Sequence, residues 1–134
     1  MSERSLPGQE FHCERTISQF DLDEFARISG DDNPIHVDAA YAATTPFAEP
    51  VAHGMFLFSL VRAQLRKHWP AGRLSEQRLQ FLAPTPAGSV VTIRLRIVEA
   101  DAVTTRIATE VTSRDGSIGL TGECELVSEQ EGER

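Results

Sequence analysis

A short stretch in the middle of the chain is apolar on every side of a helix. The residues from Met55 to Val61 are all apolar except Ser59. A helix with about 3.6 residues per turn has no polar face over such a run, so the run predicts a helix that is buried all round. We expect this helix to span residues 53–69, with a polar second half that reaches solvent, and to end at Pro70.

After this helix the apolar residues recur at every second position. This alternation predicts antiparallel strands with one buried face and one wet face. Asp115-Gly116 is a hairpin signal, and a second turn is expected near Glu99, so the last three strands form a meander. An extended segment over residues 10–17 supplies a first strand. The alternating segments beyond the helix are 79–81, 91–97, 103–111 and 118–126.

One buried helix and a one-sided sheet predict an α+β fold. The economical arrangement is a curved antiparallel sheet of about five strands wrapped around the central helix. The chain has 134 residues, which is enough for one domain over residues 1–134 with the sheet over 72–127. Such a sheet has edges to protect, so we expect a homodimer with a continuous sheet.

A second helix and a long connection precede the central helix. Ser18 or Asp21 is expected to cap a helix that continues to about Ile28 and ends at Gly30. Residues 31–52 are rich in turn formers and read as an inserted segment, and long ordered connections of this kind are often functional. The apolar side of this second helix is predicted to consist of Phe20, Phe25 and Ile28.

Charge and composition exclude several classes of function. The net charge is −7 and the sequence pI is about 5.0, which disfavours a nucleic-acid partner. The longest apolar run is too short to span a bilayer, and the N-terminus has no apolar core like that of a signal peptide. The two cysteines form no CxxC motif. We therefore expect a cytoplasmic protein with reduced thiols and without a membrane partner.

The second half of the central helix carries a local concentration of cations at Arg62, Arg66 and Lys67. These side chains could contact an anionic ligand. They could equally be solvated cations that stabilise the C-terminal end of a helix. The sequence leaves both readings open.

Asp31 and His36 form a candidate acid–base pair. They are five residues apart around Asn33-Pro34, a separation that does not fit one helical turn. It does fit a loop that folds back, so that both side chains converge on one water molecule. Each residue taken alone is more typical of a turn, a cap or a surface histidine.

His53 and Gly54 stand at the predicted start of the central helix. The first N–H groups of a helix have no partner within it and carry the positive end of the helix dipole. Glycine lets a substrate approach this backbone closely, so Gly54 is a candidate donor to an anionic oxygen. The apolar residues that follow, beginning with Met55, are expected to line a pocket.

Taken together, these residues resemble the hot-dog-fold MaoC-like dehydratases, most closely the (R)-specific enoyl-CoA hydratases. The resemblance implies interconversion of trans-2-enoyl and (R)-3-hydroxyacyl thioesters, with Asp31 and His36 as the catalytic pair and Gly54 as the donor to the thioester oxygen. The matching motif is Ser29-Gly30-Asp31-Asp32-Asn33-Pro34-Ile35-His36-Val37-Asp38, followed by Phe47-Ala48-Glu49-Pro50-Val51-Ala52-His53-Gly54-Met55.

Other motif residues are assigned supporting roles. Asn33 and Pro34 shape the loop, and His53 ties the inserted segment to the start of the helix. Some relatives carry a small hydroxyl residue eight positions after the His-Gly glycine, where this chain has Arg62. Ser59 is the nearest hydroxyl on the helix, and no catalytic serine is assigned.

The reaction requires no redox cofactor and no metal. Asp31, His36, Asp38 and His53 offer nitrogen and oxygen ligands, but their spacing lacks a closed zinc pattern. The expected substrate is an acyl-CoA or acyl carrier protein thioester, and the phosphates of coenzyme A would be the anionic ligand that Arg62, Arg66 and Lys67 could contact. The enzyme would be a carbon–oxygen lyase of fatty acid metabolism. The alternatives are a 3-hydroxyacyl-[acyl carrier protein] dehydratase, one subunit of a hot-dog heterodimer, or an acyl-CoA thioesterase.

Overall fold

A computed structural model describes residues 5–128, and these residues form five strands and four helices. The first four and the last six residues of the predicted domain lie outside this range. In chain order the elements are β1 (Glu10–Thr16), α1 (Gln19–Ser29), α2 (Pro34–Val37), α3 (Ala39–Ala42), α4 (Gly54–His68), β2 (Gly72–Phe81), β3 (Val90–Ala100), β4 (Thr104–Ser113) and β5 (Ile118–Ser128).

The five strands form one antiparallel sheet in the order β1-β3-β4-β5-β2. The meander of the last three strands is therefore confirmed. The turn between β4 and β5 contains Gly116 with φ 91°, a left-handed conformation that glycine adopts without steric cost. The predicted hairpin at Asp115-Gly116 is thus correct.

Helix α4 packs on one face of the sheet and contacts β3, β4 and β5. Its buried residues meet the inward-facing apolar residues of these strands in one core. Burying a side chain of this size stabilises the fold by roughly 1.5–3 kcal/mol. The core residues contributed by α4 are Phe56, Leu57, Leu60, Val61 and Leu65, and the strands contribute Val91, Ile93, Leu95, Ile107, Val111, Leu120, Cys124 and Leu126.

The prediction that α4 is buried all round is wrong. Met55 is 52% exposed and Ser59 is also exposed, because the sheet covers only one side of the helix. The helix proper begins at Gly54 and ends at His68, so His53 and Trp69 are its caps.

The predicted apolar side of α1 is also largely wrong. Phe20 and Ile28 are 68% and 72% exposed, whereas the helix buries Leu22 and Ala26, which are four residues apart on another face. Of the predicted set only Phe25 packs against the core. Both predicted ends of α1 are correct, since Ser18 caps its start and Gly30 ends it.

The C-terminal end of the inserted segment is bound to the connection between β2 and β3. Val51 forms an isolated β-bridge with Pro86, and the Ala52 N–H donates to the Thr85 carbonyl at 2.8 Å. These backbone contacts place residues 31–52 beside the start of α4. No helix in the described part of the chain is long and apolar enough to cross a membrane.

Both cysteines lie in strands, and neither forms a disulfide. Cys124 on β5 is fully buried, and this burial raises the pKa of its thiol to about 12. A thiol with so high a pKa is protonated at neutral pH and behaves as a small apolar core residue.

Candidate active site

The His36 ring is oriented by the segment that follows it. Its Nδ1 lies 2.8 Å from the carbonyl oxygen of Val51. A carbonyl can only accept a hydrogen bond, so Nδ1 carries the hydrogen and the lone pair is on Nε2. The backbone is fixed as well, because Gln19 Nε2 donates to the His36 carbonyl at 2.9 Å. Nε2 is therefore presented as a proton acceptor.

Asp31 faces this acceptor across a short gap. Its Oδ2 lies 4.0 Å from His36 Nε2, and its side chain is 55% exposed, against 14% for that of His36. Ser29 Oγ accepts from the Asp31 N–H at 3.1 Å, which sets the turn after α1. Two acceptors 4.0 Å apart can each bind one hydrogen of the same water molecule, because each would be about 2.8 Å from its oxygen.

His53 contacts both Asp31 and His36. Its Nε2–H donates to the Asp31 carbonyl oxygen at 2.9 Å. Its ring stacks on that of His36, with centroids 3.8 Å apart and planes 22° apart. Phe25 of α1 packs edge-on against the other side of His53, at a centroid distance of 4.8 Å. His53 thus connects α1, the Asp31 turn and the His36 ring.

The buried position of His53 keeps its ring neutral. The residue is 2% exposed, and its Nδ1 has no hydrogen-bond partner among the described residues. Burial is the main cause that lowers the pKa of His53. The positive charge of a protonated His36 would act in the same direction, and the hydrogen bond to the Asp31 carbonyl partly opposes both.

Gly54 is the first residue of α4, and its N–H has no acceptor within residues 5–128. A Cβ at this position would lie 2.9 Å from a ring carbon of Phe81, the last residue of β2. Only glycine therefore fits under the aromatic ring without displacing it. The Gly54 N–H is therefore a free donor next to His53, whose ring stacks on that of His36.

The other predicted site residues are placed differently. Met55 is exposed next to Gly54, and Asn33 and Pro34 begin α2, where Asn33 Oδ1 accepts from the Ile35 N–H at 3.1 Å. The cations Arg66 and Lys67 are exposed in the last turn of α4, about 18 Å along the helix from Gly54. Arg62 lies between these two ends of α4.

Asp31, His36 and His53 bring their ligand atoms within 4.8 Å of one another. Their geometry is nevertheless poor for a cation. The two imidazole rings are stacked, so their in-plane lone pairs do not converge, and His53 Nε2 already donates to a carbonyl. This arrangement suits proton transfer and hydrogen bonding better than metal coordination.

Comparison with known families shows which family carries this set of residues. Residues 4–117 match the family model described as the MaoC like domain. This chain belongs to the MaoC-like domain family. The family resemblance predicted from the motif at residues 29–55 is therefore confirmed.

Named relatives of this MaoC-like protein are hydratases and dehydratases. It is 34% identical to an (R)-specific enoyl-CoA hydratase of Aeromonas caviae over 129 residues, which cover 92% of this chain and 96% of the relative. A 3-hydroxybutyryl-CoA dehydratase of Methylorubrum extorquens is 38% identical over 87 residues, or 63% of this chain and 55% of the relative. These relatives are carbon–oxygen lyases, which confirms the predicted class of enzyme.

The fold of this chain also resembles that of a solved hydratase structure. An unliganded R-hydratase of Pseudomonas aeruginosa superimposes with a TM-score of 0.89 at 35% identity, over 95% of this chain and 84% of the other. The predicted hot-dog fold of the MaoC-like chain is confirmed by this similarity.

Four groups that build the site were absent from the sequence-based prediction. Gln19, Phe25, Phe81 and the Val51 carbonyl all contact the predicted residues. No local motif marks Gln19, Phe25 or Phe81, and although Val51 lies inside the motif, nothing local indicates that its carbonyl meets His36. Each of the four lies between 15 and 28 residues from its partner. Only the tertiary fold brings them to the site.

The neutral state of His53 predicts how stability depends on pH. An unfolded histidine takes up a proton below its ordinary pKa of 6.5, whereas folded His53 does so only at lower pH. The unfolded state therefore binds more protons, and stability is lost as pH falls from 6.5 through the folded-state pKa. We expect denaturant-unfolding free energies measured across this range to decline less steeply with falling pH in His53→Phe.

Burial also lowers the pKa of His68, so that residue contributes a slope of the same sign. In the double variant His53→Phe/His68→Phe, the free energy of unfolding is expected to decline even less steeply with falling pH. A slope in His53→Phe equal to that of the wild-type protein would contradict the assignment.

Proposed function

We propose that this protein interconverts trans-2-enoyl-CoA and (R)-3-hydroxyacyl-CoA thioesters by hydration and dehydration. The observation that carries this proposal is the 4.0 Å gap between Asp31 Oδ2 and His36 Nε2, beside the unpaired N–H of Gly54. The family relationship supports the reaction class. The (R) stereochemistry and the CoA carrier follow the Aeromonas relative.

The Asp31–His36 pair would carry the proton transfers. A water molecule held between the two acceptors loses one proton to the pair as its oxygen bonds to the β-carbon. The electron pair of the double bond moves toward the thioester oxygen, and the enolate then takes a proton from the pair at the α-carbon. The proton removed from water is thus returned, and dehydration is the reverse sequence.

Gly54 would stabilise the charge that develops on the thioester oxygen. Its N–H is a fixed donor at the positive end of the α4 dipole, so it needs no reorganisation as the enolate forms. Phe81 and Met55 flank this donor with apolar surface, which would exclude water and strengthen the hydrogen bond once a substrate and a second copy cover it.

The catalytic pair is tested by isosteric variants. Asp31→Asn and His36→Gln should each lower the rate at which crotonyl-CoA loses its conjugated absorbance by a factor on the order of a hundred or more, because each removes a proton acceptor. The matched control is Asp32→Asn, which changes an exposed neighbouring carboxylate outside the site. Wild-type rates in both Asp31→Asn and His36→Gln would refute the assignment.

The Gly54 donor can be removed without removing the helix start. Proline is tolerated at the first helical position, and His53 already has the extended conformation that precedes proline, with φ −62° and ψ 140°. Phe81→Ala first makes room for a Cβ. In that background Gly54→Pro lacks the N–H and Gly54→Ala keeps it. We expect kcat to be about a hundredfold lower for proline than for alanine.

The carrier and the subunit composition have unequal support. The exposed cations Arg66 and Lys67 lie about 18 Å along α4 from Gly54 and do not distinguish CoA from an acidic carrier protein, so CoA as the carrier rests on the Aeromonas relative. A subunit without activity of its own is disfavoured, because all the proposed catalytic groups are present in this chain. The cytoplasmic location stays a prediction.

A homodimer would complete the site. In one copy the Asp31 side chain is 55% exposed, and a cavity of about 860 Å³ lies beside Trp69 at the other end of α4 rather than at the pair. The apolar residues Met55, Phe81 and Leu82 are between 47% and 53% exposed beside the free edge of β2. Pairing of β2 with β2 of a second copy would cover them and close the pocket.

The interface is tested by charge insertion. Leu82→Asp should shift sedimentation equilibrium from twice the 14.8 kDa chain mass towards the single mass, because it places a carboxylate in an apolar interface. Leu6→Asp is the control, since Leu6 is equally exposed, at 56% against 53%. A monomeric wild-type protein, or equal masses for both variants, would contradict this interface.

A further inference from the structure

Arg62 is a half-buried cation with no acidic partner among residues 5–128. Its guanidinium forms no hydrogen bond and no ion pair with any residue in the described part of the chain. Removing a charge from water costs free energy unless an opposite charge or hydrogen bonds replace the water. An anion from outside this chain would supply that replacement.

Arg62 and Gly54 lie on the same side of α4. They are eight residues apart with Phe58 midway, and eight steps of about 100° leave them about 80° apart around the helix axis. A Cβ at Gly54 would point at Phe81, so this face is turned towards β2. Arg62 shares a small cleft with Leu126 of β5, which places it along the same face.

The strip of surface on this side of α4, from Gly54 to Arg62 and facing Phe81 to Gln77 of β2, is termed the groove. The sheet pairs Phe81 with Leu120 at one end of it and Gln77 with Cys124 further along. Both walls can be measured from Phe81, which lies against Gly54 and pairs with Leu120. The four steps from Leu120 to Cys124 cover about 13 Å of strand. The eight steps from Gly54 to Arg62 cover about 12 Å of helix, so Arg62 lies at the level of Cys124. The charge of Arg62 indeed acts on the Cys124 thiol.

Gln77 adds a second unsatisfied polar group at this level. It lies directly opposite Cys124, so its side chain projects to the same face of the sheet. Its Nε2 donates to the carbonyls of Arg78 and Glu123, whereas its Oε1 is buried and has no donor among the described residues. A guanidinium has five N–H donors, enough to bind a carboxylate and Gln77 Oε1 together.

The wall of the groove between these two ends is apolar. Phe58 of α4 and Leu79 of β2 both pack against the core there. An acyl chain whose thioester oxygen meets the Gly54 N–H could extend past them and would end beside Arg62. A terminal methyl would leave the guanidinium unpaired, whereas a carboxylate would pair with it bidentately.

We propose that Arg62 is a specificity-determining residue that binds a carboxylate at the far end of the acyl chain. The preferred substrates are then trans-2-enoyl thioesters that end in a carboxylate. This inference rests on the proposed function, because that function places the thioester oxygen at Gly54. It assigns Arg62 to the acyl end of the substrate. The CoA part leaves the thioester in the other direction, away from the exposed cations Arg66 and Lys67, which lie beyond Arg62 on α4.

The test uses trans-2-enoyl-CoA thioesters of increasing length in matched pairs, one ending in a methyl group and the other in a carboxylate. For the wild-type protein we expect kcat/KM to favour the carboxylate in at least one pair by a factor on the order of ten to a hundred. Arg62→Met should abolish this preference, and Arg62→Lys should keep part of it. Arg66→Met should change both members of a pair by the same factor.

Several outcomes would overturn the inference. Turnover of the methyl-terminated thioesters by the wild-type protein, with no preference in any pair, would refute the role of Arg62 and leave the hydratase proposal standing. An equal rise of KM for both members in Arg62→Met would place Arg62 at the CoA phosphates. Dissociation of the dimer in Arg62→Met with the preference unchanged would make it an interface residue. No turnover of either series would refute the proposed function as well.

Discussion

The hydrogen bond from His53 to the Asp31 carbonyl is the contact on which the site depends. It joins the residue before α4 to the turn after α1, which are 22 positions apart in the chain. The same ring stacks on His36, so one buried side chain fixes two others. Its neutral state matters because a charged ring in this position would have an unpaired, buried Nδ1–H.

The scaffold supplies the second half of the site by placing the start of α4 at the surface. The sheet buries one side of this helix and leaves Gly54 and Met55 accessible. A helix whose first turn is open to a ligand and whose later turns are anchored by Leu60 and Leu65 offers donors that do not move. Packing in the core therefore holds the Gly54 N–H in a fixed position.

Much of this arrangement was predictable from the sequence. Strict alternation predicted the meander, and the motif around Asp31, His36 and Gly54 predicted which residues gather at one place. The exposure of Phe20 and Met55 was not predictable, because periodicity identifies apolar residues but does not say which surface will cover them. The packing of Phe81 on Gly54 likewise required the register of β2 against β5, which no local pattern encodes.

The sheet order has a consequence for synthesis on the ribosome. Within the described chain β2 has one strand neighbour, β5, which is the last strand to emerge, and Gly72 pairs with Ser128. A nascent chain therefore carries β2 without its partner until translation of the domain is nearly complete. During that interval a long strand with an apolar end is open to pairing with other chains, so the fold is exposed to aggregation before it can close.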